Sequence, residues 1–313
     1  GAIVELGVVT AVLYLAMSLP FLAGQKRESD RAVADREARN MAVYTWVSTT
    51  GDVNAAGSFS PAGGPPTSGD SLQMTEASQQ DVLNVPTGLA ISDWIAYGEY
   101  DGDIGDSGAP AFQLAARLIF KGSGAAWARG ADPGAYNLYL CSFRGGTVNW
   151  GNSLATSTQR LFVTAGTLNV TGSDGNANTD IFVVPAANAS AYLSVLPVAS
   201  AAVPRYYQTG GDVVTPNPLG STECVISGGT LEYSRDGTAT WAKLTMTGGY
   251  VFYNGSGALT TAIILGGTLD MTQDRRAKTI TTLVLGPNAT YLDHSGITVT
   301  TQVDLRDTLF SAP

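Results

Sequence analysis

The segments SGGTLEY (Ser227–Tyr233), TGGYVFY (Thr247–Tyr253) and LGGTLDM (Leu265–Met271) share one form: two small residues, then Thr or Tyr, then apolar residues alternating with others. RGGTVNW from Arg144 and TAGTLNV from Thr164 repeat it, with weaker copies in TGGDVV from Thr209, AANASAYL around Ala187 and GPNATYL from Gly286. The second small residue of each falls near 146, 166, 187, 211, 229, 249, 267 and 287, a period of about 20 residues. Glycine turns at Gly102 and Gly124 continue the series at a spacing of about 22.

A period near 20 built from short alternating strands and glycine turns predicts a β-solenoid of single-stranded type. Each repeat is one coil stacked on the next at about 4.8 Å, and about ten coils make a rod of roughly 50 Å. Apolar residues alternate before each glycine pair (Leu161 and Val163, Cys224 and Ile226, Leu244 and Met246) and again after it, with opposite parity (Val148 and Trp150, Leu231 and Tyr233, Val251 and Tyr253, Leu269 and Met271). The pair is therefore a corner where the inward set shifts by one residue, a bend glycine permits. Cys141 and Cys224 both stand four residues before their glycine pair, which places them in one inward column about four coils apart. That separation of about 19 Å exceeds disulfide reach and predicts two free, buried thiols.

The composition fits an all-β protein outside the cell: charged residues are 14% and there are 37 glycines in 313 residues. A net charge of −9 and a pI near 4.5 offer no basic field to a polyanion, so nucleic acid is not an expected partner. With one histidine, His294, and no paired cysteines, neither a histidine triad nor a multi-histidine metal site is expected, and no cofactor is.

Ahead of the repeats, residues 2–23 are mostly apolar, and Glu5 is the one charged residue among them. As a helix they span roughly 33 Å, the thickness of a bilayer core. GQKRESDRAVADREARN follows with nine charges of both signs, including Arg31, Asp35 and Arg39 at helical spacing. One helix over 1–41 is expected, apolar first and amphipathic after, with a kink near Pro20. A carboxylate within hydrocarbon costs a few kcal/mol and requires a partner. The nearest positive group is an α-amino terminus, either its own at Gly1 or that of a neighbouring copy.

Gly1, Glu5 and Pro20, within an apolar helix that continues as an amphipathic one, resemble the mature N-terminus of type IV pilins and tight-adherence pilin-like proteins. Gly1 stands where phenylalanine is commonest in that family, and the proline lies slightly early. The resemblance implies cleavage of a leader, residence in the inner membrane before assembly, and pairing of Glu5 with the amino terminus of an adjacent subunit in a filament. The other reading makes the helix a signal anchor in which Glu5 reaches the interface. Met41, heading MAVYTW, offers a second start for the downstream chain.

Residues 42–84 are read as a linker and solenoid cap, and 85–313 as the solenoid. Within the linker, Trp46, Gly51, Asp52, Asn54, Phe59, Ser60, Pro61, Gly69 and Asp70 resemble the entry segment of bacterial and phage β-solenoid surface proteins. Such a segment covers the first coil and shields its edge.

Among candidate sites, Glu99, Asp101, Asp103 and Asp106 offer oxygen ligands, but they lack the calcium loop with its terminal Glu and read as a solvated turn. Asp270, Asp274, Arg275 and Arg276 are the groups a polysaccharide-cleaving β-helix would use; they read equally as surface charges at a turn. Asn169, Asn188, Asn254 and Asn288 head Asn-x-Ser/Thr sequons. The chain is thus read as a structural protein, not an enzyme: an extracellular pilus-like subunit whose helix packs with copies of itself and whose solenoid is displayed. The alternative is a membrane-anchored or phage fibre binding a glycan or cell-surface receptor.

Overall fold

The computed structural model describes residues 42–55, 57–61, 65–86, 89–106, 112–130, 135–151, 158–171, 179–185, 191–195, 203–215, 219–233 and 240–306. The chain divides into two units, Gly1–Ala42 and Val43–Pro313. The helix expected over 1–41, with Gly1, Glu5 and Pro20, lies outside the described residues. Among the described residues no helix is long and apolar enough to cross a membrane.

The second unit is mainly β and forms a solenoid of parallel strands joined in one sheet. Each turn has a leading strand, a corner and a following strand. In one turn these are Leu219–Ile226, residues 227–229 and Thr230–Tyr233; in the next a single strand, Trp241–Tyr253, runs through the corner. Thr, Val, Ile and Tyr fill these strands because branched and aromatic side chains pack well on a pleated surface. Cys224 lies over Leu244, Leu244 over Ala262, and Ala262 over Leu283. Beyond the corner, Leu231 lies over Val251, Val251 over Leu269, and Leu269 over Tyr291.

The parity change at the corner is the one the sequence predicts. Cys224, Ile226, Leu231 and Tyr233 are all buried, as are Leu244, Met246, Val251 and Tyr253 in the next turn. The second glycine of the pair enables it: Gly229, Gly249 and Gly267 have φ of 77°, 78° and 83°, values L side chains avoid. The two-strand plan runs for about eight turns rather than ten. The rungs at the ends are single strands: Ser71–Met74 and Ala90–Ala96 at the start, and Ile297–Asp304 at the finish.

The ladder already begins within the segment read as linker and cap. Val43–Trp46 pairs in parallel with Ser71–Met74 on one side and antiparallel with the two-residue strand Phe59–Ser60 on the other. Trp46 and Phe59 meet edge to face at 5.3 Å, and the Trp46 indole N–H donates to the Gln80 carbonyl at 3.0 Å. A very short, reversed strand followed by Pro61 blunts this edge against further pairing.

The column expected to hold both cysteines needs correction. From Cys224 it runs through Tyr206, Ile181 and Leu161 to Leu138, not to Cys141. Three residues separate Ile226 from Thr230, but six, Cys141–Gly146, separate Leu140 from Thr147. Counting back from the glycines therefore lands three residues off. Ser142 stabilises the enlarged corner: its hydroxyl donates to Gly122 O at 2.6 Å and accepts from Gly146 N at 2.7 Å. Both thiols are free, but only Cys224 is buried; Cys141 is half-buried.

Candidate functional site

The outward side of the leading strands carries two side-chain columns, set on either side of the inward column. One holds rings: Tyr139 and Phe162 stack at 5.0 Å and 4°, Phe162 and Phe182 at 4.8 Å and 9°, and Phe182 and Tyr207 at 5.2 Å and 3°. Parallel register between rungs brings these residues into line. Their faces cover one another, which leaves ring edges outward.

The second column holds charges. Arg117 pairs with Asp93 at 3.2 Å, Arg205 with Asp180 at 2.6 Å, and Lys243 with Glu223 at 3.8 Å. Ser71 also donates to Asp93, and the Tyr207 hydroxyl donates to Glu223 at 2.9 Å. Burial and that bond push the Tyr207 hydroxyl up to about 12, so it stays a donor. Bonding to Asp180 raises the Arg205 guanidinium further. Each charge is met by a residue one rung away, so the column acts along the stack as cross-strand pairs do within a sheet.

The acidic turn is used in the same way. Asp81 Oδ1 accepts from Asp103 N at 2.8 Å, and Asp103 Oδ1 accepts from Ala125 N at 2.6 Å. Asp101 accepts from Ser123 at 2.6 Å and pairs with Arg144 at 2.7 Å. The Ser123 bond, more than Arg144, holds its carboxyl below the usual range. Glu99 and Asp106 are exposed. Among the described residues no three acidic, His or Cys side chains are grouped to hold a metal ion.

Asp270, Asp274, Arg275 and Arg276 do not form one site. The Asp270 carboxylate accepts from Tyr250 at 2.8 Å and from the Thr272 hydroxyl at 2.7 Å. Asp274 is bound by Arg276 at 2.8 Å and by the buried Lys278 at 3.3 Å, while Arg275 points to solvent. Burial opposes ionisation of both carboxyls, yet their donors prevail; Asp274 is lowered to about 2 and Asp270 is also lowered. A general acid needs the opposite shift. Lys278, which sequence reading passed over, also donates to Asp274 O at 2.8 Å.

The sequons separate by burial. Asn254 is 9% exposed, the Asn169 amide donates to Asn149 at 3.0 Å, and Asn288 is exposed at a corner; Asn188 lies outside the described residues. The ring and ion columns were missed in sequence because rung length varies, so their members align only once the register is known. Burial pushes both thiols up. In native protein, Cys141 should react slowly with a disulfide reagent and Cys224 only on unfolding. Equal rates would contradict the separation of Cys141 from the core column.

All nine charges of the net −9 fall within residues 42–116, which hold nine acidic and no basic side chains; in 117–313 twelve of each sign cancel. Comparison with protein-family models, with curated proteins and with solved structures found no match.

Proposed function

We propose that the chain is a structural subunit of an extracellular filament, with the N-terminal segment packing against copies of itself and the solenoid displayed. The observation that carries this reading is the use of outward rings and charges by their own neighbours in the ladder. Side chains so engaged stiffen a stack.

The assembly role rests on Gly1 and Glu5. A neighbour's amino terminus would neutralise Glu5, and a misregistered subunit would leave an unpaired charge in a low-dielectric core, which removal of one partner from buried pairs prices at about 3–5 kcal/mol. Glu5→Ala should therefore abolish filaments seen by electron microscopy while leaving the β circular dichroism unchanged. Filaments of normal length and number would count against the proposal.

A further inference from the structure

The ring stack is the middle of a longer apolar stripe. In register along the outward side of the leading strands it extends back through Ile119 to Ile95, which is buried, and forward through Val225, Thr245, Ile263 and Val284 to Val303, so that its accessible part begins at Ile119. Beside its far end, Leu265 and Leu305 are 44% and 38% exposed, and Val303 is 43% exposed. These are three of the seven exposed large apolar residues among those described. The ion column, with Arg160 also in register in it, borders the stripe on one side, which gives an apolar strip with a charged margin, the apolar centre and polar rim of a protein interface.

We infer that this face docks on the same face of a second copy, about a two-fold axis near Tyr207 and Val225 with the two solenoids antiparallel. Ten rungs at about 4.8 Å and a strip about 14 Å wide give roughly 650 Å² per copy, or roughly 1,300 Å² in all, within the range of stable specific interfaces. Charge selects the antiparallel arrangement. The stripe from Ile119 onward lies in the part of the chain whose charges cancel, whereas residues 42–116 carry all nine net negative charges. Parallel solenoids would set those two acidic segments side by side; antiparallel ones put them at opposite ends. The contact depends on the solenoid alone and stands or falls separately from the filament reading.

The test uses the full chain in detergent with the photo-crosslinking residue p-benzoylphenylalanine at Tyr207, at Val303, or at Glu232 on the following strand. Irradiation is expected to give covalent dimers from the first two positions, at least tenfold above Glu232. Tyr207 should link near Val225, and Val303 near Ile119 of the second copy. Val225→Lys should cut the dimer yield at least tenfold with unchanged circular dichroism. Val303 linking to Val303, equal yield at Glu232, dimers that survive Val225→Lys, or no dimers would each overturn the inference.

Discussion

Gly267→Ala is expected to cost about 2–5 kcal/mol, read as a fall in the urea midpoint followed by circular dichroism. Two terms add. A left-handed φ of 83° costs an L residue about 1–2 kcal/mol. A Cβ at this position would also lie 2.5 Å from Gly249 O and 2.6 Å from Gly248 C. Those atoms belong to the rung beneath and retreat only if the ladder opens, a strain of about 1–3 kcal/mol. Gly145 isolates the first term: its φ is also 83°, but nothing lies within 4 Å of its Cβ. Gly145→Ala should therefore cost only about 1–2 kcal/mol. Equal losses at the two glycines would mean that rung spacing does not set the corner. Because stacked repeats couple mainly to their neighbours, the transition should also broaden in the Gly267 variant.

The second large effect concerns the buried pair of Asp274 and Lys278. The lysine side chain is 0% exposed and the aspartate 6%, so Asp274→Ala strands an ammonium in the core and should cost about 3–5 kcal/mol. The double variant Asp274→Ala, Lys278→Met removes both charges and should recover most of that loss. Acid should reveal the same contact. Folding lowers the Asp274 carboxyl to about 2, below its unfolded value near 3.9. Its stabilisation is thus complete above that unfolded value and is lost as pH falls toward 2, by roughly 2 kcal/mol. Asp274→Ala should lack this limb of the pH profile. A double variant no more stable than the single one would show that the pair is not what holds the loop.

Much of the fold is legible in the glycine pairs, because one geometric demand, a left-handed corner over backbone, recurs at Gly166, Gly211, Gly229, Gly249 and Gly267, and glycine meets it without strain. The parity change at Ile226 and Leu231 follows from that corner and is correctly read. Column membership is not so readily read. The rung from Ile181 to Tyr206 is longer than the rung from Tyr206 to Cys224, and the enlarged corner after Leu140 holds three extra residues. Cys141 was thereby misassigned, and the alignment of Tyr139, Phe162, Phe182 and Tyr207 stayed hidden. Loops at the turn ends absorb such insertions at little cost, so strand spacing in sequence carries only an average of the register. Lys278 illustrates a different limit: among DRRAK any basic residue reads as exposed, and its burial is decided by the rung above.

The filament account turns most directly on the first residue of the native polypeptide. N-terminal sequencing and intact mass of material recovered from its natural source should give a mature start at Gly1, which places an α-amino group four residues from Glu5 and supplies the partner that carboxylate needs. A start at Met41 would detach the solenoid from the apolar N-terminal segment and contradict the account.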